Sequence, residues 1–466
     1  MLVPEFLDGV RSGSLDLEGF YSGLFRKMHG LDRKYSFFIT LADREAKGQL
    51  EAVNRKARLP GLPVSVKDNI CTRGIRTTAG SRILEAYMPP FDATSIARAK
   101  EQGGVVVGKT AQDEFGFGTF STNCGFKVPK NPIDPSRSCG GSSGGAAGLV
   151  KALDEPHIAI AESTGGSISC PASFCGVAGL TPTYGRVSRY GLVDYANSLD
   201  KIGVIAKSTD DIALMLSVIA GYDQLDSTSI NKPAEKYVLK PSKMKIGIPK
   251  EYFEGVDEKI AKLVWYGIKK LESEGHTYKE VSLPYTRHSL SAYYVIAAAE
   301  ASTNLAKFCG MRYGAEERVE GSMNEYFSEV RTKYLGEEAK RRILLGTYSR
   351  MAGFRDQYYL KAMKVRTLII EEFRKAFRNC DALIAPTMPV VAPKFTEIEK
   401  LTPLENYMMD VLTVAPNLAG IPMLSVPCGS AGGLPVGMHI MGDYLQEGKV
   451  LSLGNEMESY AHFKGR

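Results

Sequence analysis

No run of five or six basic residues occurs in the 466-residue chain, and 58 Lys and Arg against 52 Asp and Glu leave a net charge of only +6. A protein that grips RNA or DNA by itself concentrates basic charge into a stripe or patch. The main nucleic-acid surface therefore belongs elsewhere, although this chain can sit beside it. Long apolar runs are missing too. The longest, such as Ile212 to Ala220, fall short of the about 18 residues that span a bilayer, and no N-terminal stretch joins a basic start to an apolar core. A cytoplasmic protein is expected. Cysteine is sparse: of eight (71, 124, 139, 170, 175, 309, 380, 428), only Cys170 and Cys175 are close, and no second pair completes a zinc ligand set. Free, packed thiols and no metal follow. Histidine is scarcer still. Six occur (29, 157, 276, 288, 439, 462), none inside a motif, which leaves a Ser-His-Asp triad without a base.

What is present is ordinary globular material, with 44% apolar and 24% charged side chains and 47 glycines. Folding at this length buries about three-quarters of the chain's surface, so neither disulfides nor a structural metal are needed. Residues 1–55 read as helical, with Leu17, Phe20, Leu24 and Met28 at steps of three and four. Residues 56–245 alternate short β-type runs with helical segments and long Gly/Ser loops, the texture of an α/β core with helices on the faces of a sheet. Residues 246–380 are mostly helical in pattern, with solvated charge runs. Strand-like runs return in 381–466, at Ala382-Leu-Ile-Ala385, Leu424-Ser-Val426 and Val436-Gly-Met-His-Ile440. The economical architecture is a sheet begun early, interrupted by a helical insertion and completed by the C-terminal segment. The proline-bearing stretch Lys232 to Lys243 reads as a surface connection.

Two motifs imitate known chemistry. Gly103-Gly-Val-Val-Val-Gly-Lys-Thr110 matches the phosphate loop G-x-x-x-x-G-K-[ST] letter for letter, but its context is wrong. A helical segment, Ala93 to Gln102, stands where a strand belongs, and three stiff valines fill the loop. Gly103 reads as a helix C-cap and Val105 to Val107 as a buried strand. Gly140-Gly-Ser142-Ser-Gly144 matches the G-x-S-x-G elbow, which needs an apolar strand running into the serine. Pro132 and Pro135 precede it instead.

A third constellation meets neither objection. Lys67 stands at the exit of an alternating strand (Leu62, Val64 and Val66 against Pro63 and Ser65), and two glycine-rich serine loops follow, Gly140-Gly-Ser-Ser-Gly-Gly145 and Thr164-Gly-Gly-Ser167. Glycines beside a serine let backbone N–H groups turn inward together as an anion-holding nest. Two such loops and a buried lysine point to acyl transfer. Together, Gly61-Leu-Pro-Val-Ser-Val-Lys-Asp-Asn69, the two loops and Ile168 resemble the amidase signature family. Gly179-Leu-Thr-Pro-Thr-Tyr-Gly-Arg-Val-Ser-Arg-Tyr-Gly191 and Asn197-Ser-Leu-Asp-Lys-Ile-Gly203 resemble the branch of it that supplies the A subunits of aspartyl/glutamyl-tRNA amidotransferases. The resemblance extends over essentially the whole chain, through Ala301-Ser-Thr-Asn304, Arg341-Arg-Ile-Leu-Leu-Gly-Thr347 and Asn417-Leu-Ala-Gly-Ile-Pro422.

The resemblance implies a mixed sheet flanked by helices and a glutaminase that passes ammonia to a partner acting on misacylated tRNA. It makes Ser167 the nucleophile, Ser142 a relay serine following a cis peptide, Lys67 the base, and the backbone of Thr164, Gly165 and Gly166 the oxyanion hole. A lysine of pKa near 10.4 costs about 4.6 kcal/mol to hold neutral at pH 7, whereas burial that lowers it to about 7.5 brings this under about 1 kcal/mol. For glutamine, the resemblance implies Asp410 against the α-amino group, Arg342 against the α-carboxylate with Arg341 as its rival, and Tyr294 lining the pocket. Ser143 either hydrogen-bonds within the relay or caps the following helix. The implied partners are the B subunit, which uses ATP and Mg²⁺, and the small C subunit; no cofactor is implied for this chain. A stand-alone amidase, served equally by the same three residues, and a catalytically weak scaffold are the rivals. The chain departs from the family at one loop. Where Gly-Ser-Asp-Thr-Gly-Gly-Ser-Ile-Arg is common, it reads Glu162-Ser163-Thr164-Gly-Gly-Ser-Ile-Ser169, and the segment between the two serines is one residue longer.

Overall fold

A computed structural model describes residues 1–240 and 242–460. Eleven strands make one mixed sheet: β1 (Phe38–Leu41), β2 (Pro63–Lys67), β3 (Val105–Thr110), β4 (Ile158–Ser163), β5 (Ala178–Thr181), β6 (Lys201–Ala206), β7 (Lys245–Pro249), β8 (Thr277–Val281), β9 (Ala382–Pro386), β10 (Met423–Ala431) and β11 (Leu434–Gly442). Their spatial order is β1-β3-β2-β4-β6-β5-β10-β11-β9-β7-β8. β2 runs parallel to both β3 and β4, so Lys67, Thr110 and Ser163 finish at the same edge of the sheet. Open α/β sheets bind ligands beyond such carboxyl ends.

The period of two decides which face each side chain serves. Val64 and Val66, with Ile158 and Ile160, enter an apolar layer covered by helices Val3–Ser12, Thr94–Glu101, Thr209–Ile219, Glu258–Ser273 and Glu447–Ser459. Val105 and Val107, with Ala159 and Ala161, turn to the other face, against helices Leu17–Tyr35, Gly144–Ala152 and Ser169–Cys175. Lys67, one step from Val66, emerges on that second face, where the two serine loops lead into their helices.

Two expectations are corrected. The first 55 residues are not helical throughout: Phe38–Leu41 pairs antiparallel with β3 as the edge strand. Within the helical stretch, β7 and β8 extend the opposite edge by parallel pairing with each other and with β9. The phosphate-loop imitation is indeed a strand. Gly103 ends its helix at φ 89°, and Lys109 is sealed in, donating to Thr77 Oγ1 at 2.7 Å and to the Ile70 carbonyl. Lys232 to Lys243 carries no helix or strand among its described residues, and all eight cysteines are free. No helix among the described residues is long and apolar enough to cross a membrane.

Helices Ser289–Asn304 and Glu337–Arg350 cross at small residues. Glycine in a helix interior costs about 1 kcal/mol relative to alanine, so Gly346 needs a packing reason. A Cβ there would lie 1.8 Å from the Ala298 carbonyl oxygen. Gly346→Ala is therefore expected to destabilise the chain by about 2 kcal/mol or more despite its better propensity, read as a lower urea midpoint. An unchanged or raised midpoint would contradict this close approach.

Candidate active site

β2 delivers Lys67 into an interior that admits no solvent: Lys67 and Ser142 are both 0% exposed. Three oxygens surround the amine nitrogen: Ser142 Oγ at 2.7 Å, the Glu162 carbonyl at 3.0 Å and Glu162 Oε2 at 2.9 Å. Ser142 follows a cis Gly141–Ser142 peptide in the loop before helix Gly144–Ala152. Gly141 is required by space, because a Cβ would meet Asp113 Oδ2 at 2.4 Å and Ser121 N at 2.7 Å. Asp113 braces this loop, accepting the N–H groups of Ser121 and Asn123 at 2.9 Å each, and its burial pushes the carboxyl up to about 6.

Ser167 stands just ahead of helix Ser169–Cys175 and is the one member of the three with measurable exposure, 6%. The loops are stitched together by the Ser143 N–H, which donates to the Ser167 carbonyl at 3.2 Å. The Ser143 hydroxyl makes no helix cap; it donates to the Glu162 carbonyl at 3.1 Å, the oxygen that Lys67 also meets. Among the described residues no protein acceptor receives the N–H groups of Gly165, Gly166 or Ser167. Both glycines are crowded, since a Cβ at Gly165 would meet Tyr293 OH at 2.7 Å and one at Gly166 would meet Thr413 Oγ1 at 2.4 Å. Free, fixed N–H groups beside a hydroxyl can hold an oxyanion.

A second cluster lies on the helices of the insertion. Arg342 is 4% exposed; its Nε donates to Glu338 Oε1 at 2.7 Å, one helical turn back, and its NH1 to Tyr195 OH. Four rings, of Phe117, Tyr195, Tyr294 and Tyr407, surround the guanidinium at 5.1 to 5.6 Å. Arg341 points outward, 40% exposed, and pairs with the far oxygen of Glu338. Asp410 is buried rather than on a helix surface, and accepts from Tyr294 OH at 2.7 Å and Thr119 Oγ1 at 3.1 Å. Burial pushes its carboxyl above the ordinary range, while the two hydroxyls oppose the shift. A cleft of 710 Å³ opens onto Thr119, Glu338, Arg342 and Tyr407. Tyr294 lies against the Arg342 guanidinium and donates to Asp410, so a cation and an acid stand on either side of one aromatic side chain beside this cleft.

Histidine takes no part. Burial pushes His157 and His439 down to about 3, His29 contacts Asp43 and His276 contacts Glu456. His462 lies outside the described residues. No group of three or more His, Cys, Asp or Glu is placed to hold a metal ion among the described residues.

Sequence reasoning missed four acids: Glu162, Asp113, Glu338 and Asp200, the last joined to Glu162 through Thr164. Glu162 was visible only as a departure from the family pattern. Glu338 was within reach, because a glutamate four residues before an arginine shares its helix face. Removing one partner of a buried pair strands the other. Glu338→Ala is therefore expected to lower stability by about 3 kcal/mol in a denaturant titration, and Glu338→Gln, which keeps an acceptor for Arg342, by clearly less. Equal losses would show that the charge pair is not what holds Arg342.

Known proteins resemble this chain over nearly its whole length. The model of the family described as Amidase matches residues 22–451. The A subunit of glutamyl-tRNA(Gln) amidotransferase from Halothermothrix orenii is 45% identical over 470 residues, covering 100% of this chain and 98% of that protein. Its counterpart from Methanococcoides burtonii is 49% identical over 88% of this chain and 86% of its own length. The crystal structure of the A subunit of glutamyl-tRNA(Gln) amidotransferase from Thermotoga maritima superposes with a TM-score of 0.78 at 39% identity, over 92% of this chain and 88% of that one. With the lysine, the two serine loops and the sheet that presents them all in place, the chain belongs to the amidase signature family.

Proposed function

We propose that this chain is the glutamine-hydrolysing subunit of a tRNA-dependent amidotransferase. It works as the A subunit, together with a B subunit that activates the acceptor carboxylate with ATP and Mg²⁺, and with a small C subunit. The full-length identity to A subunits supports the assembly, and the modest charge fits a chain that leaves most of the tRNA to its partner. The observation that carries the substrate is Arg342, a guanidinium lining the cleft, with the Asp410 carboxyl close behind it: Tyr294, one of the rings around that guanidinium, donates to Asp410 at 2.7 Å.

Ser167 Oγ attacks the side-chain amide carbon of glutamine. Its proton passes to Ser142 Oγ as the Ser142 proton passes to Lys67 Nζ, 2.7 Å away. The oxygen of the tetrahedral intermediate takes the free N–H groups of Gly165, Gly166 and Ser167, donors of a kind worth about 3 to 4 kcal/mol each. The relay then returns the proton to the leaving nitrogen. Ammonia departs and a γ-glutamyl ester remains on Ser167. Water, deprotonated by the same relay, opens the ester to glutamate, and Ser167 recovers its proton. Misacylated Asp-tRNA(Asn), Glu-tRNA(Gln) or both receive the ammonia on the partner.

With amide-¹⁵N glutamine, the chain assembled with its partner subunits and misacylated tRNA is expected to release labelled ammonia and to carry the glutamyl adduct on Ser167. Ser167→Ala should cost at least about 10³-fold in kcat. Arg342→Lys, which loses the planar fork and its aromatic packing, should raise the KM for glutamine by about 100-fold with a smaller change in kcat. Turnover of aryl or fatty amides in place of glutamine would identify a stand-alone amidase. An adduct on Ser142 or on a cysteine would overturn the assigned roles.

A further inference from the structure

Behind Lys67 lies a line of buried oxygens that the relay to Ser167 leaves unused. Glu162 Oε2 accepts from Lys67 Nζ at 2.9 Å and from Asn69 Nδ2 at 3.0 Å. The other carboxylate oxygen, Oε1, is 2.8 Å from Thr164 Oγ1, and that same hydroxyl is 2.8 Å from Asp200 Oδ1. Asp200 Oδ2 accepts the N–H groups of Tyr195 and Ala196, both at 2.9 Å. Lys67, Glu162, Thr164 and Asp200 are each at most 1% exposed.

A threonine hydroxyl has one proton to give. With both carboxyls ionised, one of the two 2.8 Å contacts would set oxygen against oxygen with no hydrogen between them, in a dry interior where an unpaired charge is expensive. One added proton removes the conflict. Its place follows from the donors. Glu162 has an amine and an amide on Oε2, whereas Asp200 Oδ1 meets only the hydroxyl. Arg189, whose charge reaches Asp200, turns NH1 to the Asn197 carbonyl and NH2 to Thr228, pairs with Asp226 at 3.6 Å, and makes no hydrogen bond to Asp200. Burial pushes the Asp200 carboxyl well above the ordinary range, and the neighbouring Glu162 adds to the shift.

We propose that Asp200 is a neutral carboxylic acid in the working protein, donating to Thr164, which donates to Glu162, and that Glu162 is the positioning residue of Lys67. The inference rests on the reading of Lys67 as the base. Each time Lys67 takes the Ser142 proton, the ammonium forms against a carboxylate already in place, as the aspartate of a serine-protease triad serves its imidazolium. A proton on Asp200 keeps that partner at one negative charge, so Lys67 is not held protonated by two. The other charged groups around the cluster are Asp113 after β3, which feels both Lys67 and Arg342, then Arg342 through Tyr195, and Arg189 beyond Asp200. None hydrogen-bonds to Glu162 among the described residues.

The test uses the full chain and two readouts. The pH profile of Ser167 phosphonylation by an alkyl fluorophosphonate reports the base without any assumption about the natural amide. Glu162→Gln, which removes the charge that stabilises the ammonium, is expected to move the acid limb of that profile at least about one pH unit lower and to cut its plateau about tenfold or more. Asp200→Asn still presents an N–H to Thr164, so its acid limb should stay within about 0.3 units of the wild type. The infrared difference spectrum of resting protein at pH 8, wild type minus Asp200→Asn, should contain a protonated-carboxyl C=O stretch that shifts in D₂O. Should Asp200→Asn not fold, ¹³C-aspartate labelling of the wild type and Thr164→Val supply the same reading: the band moves with the label and shifts when the hydroxyl is gone. The proposal is overturned by the lack of such a band, by an Asp200→Asn acid limb displaced to lower pH as the loss of a carboxylate demands, or by a Glu162→Gln limb that does not move. A Ser167 that resists phosphonylation in the wild type would defeat the triad reading instead, and the infrared arm would still decide the proton on Asp200.

Discussion

The site depends on an amine that has been taken out of water. Lys67 is 0% exposed, and moving an ammonium into such surroundings costs several kcal/mol unless oxygens replace its hydration shell. Ser142 Oγ, the Glu162 carbonyl and the Glu162 carboxylate do so, each within 3.0 Å. The demand for those three oxygens fixes the rest. It brings the end of β4 beside the end of β2, which parallel pairing supplies, and it draws the Gly141–Ser142 loop onto the same spot, which only glycine at 141 permits. Ser167 then sits at the rim of this sealed cluster, 6% exposed, while the Lys67 amine is withheld from solvent.

The charged cluster around Arg342 stands on other elements. Arg342 and Asp410 come from the helical insertion and from the turn before helix Val414–Ala419, and aromatic packing links them: Tyr294 stacks on Tyr407 with ring centroids 4.1 Å apart while donating to Asp410. The crossing that carries Arg342 is held to its depth by Gly346, one turn along the same helix. Lys67 and the two serine loops thus stand at the sheet edge, and the charged cluster stands on the insertion and the C-terminal segment.

This division explains what could be read in the sequence. Lys67, Ser142 and Ser167 sit in glycine-rich segments whose backbone requirements leave a local trace, and the valines of β3 betrayed the phosphate-loop imitation in the same local way. Arg342 and Asp410 were recoverable only through resemblance, because a charged residue on a helix looks solvated until the facing helix is known. Phe38–Leu41 escaped because four residues carry too little periodicity against two flanking helices, and β8, with its exposed Thr277–Val281 pattern, has no apolar face to announce it. Glu162 and Asp200 lie 38 residues apart along the chain and meet only through Thr164. No spacing rule reaches that far.

Charge accounting links the family departure to the site. An aspartate and an arginine together carry no net charge, so serine at both 163 and 169 leaves the buried charge of the loop as it would have been. Glu162 is a different matter, because it adds a carboxylate where the family pattern has serine. In a strand, neighbouring residues face opposite ways, so an acid at 162 is directed differently from one at 163. Here it reaches Lys67 and Asn69, while Ser163 turns to the Gly165 carbonyl at 3.3 Å. A negative charge beside a base strengthens the base and also holds its proton, two effects of opposite sign on turnover at neutral pH. The balance falls to the next acid in the line. Ionised, Asp200 would double the charge that retains the Lys67 proton; neutral, it supplies a donor to Thr164 and leaves one carboxylate facing one amine. In a desolvated interior, where every uncompensated charge is penalised, one carboxylate facing one amine is the even match.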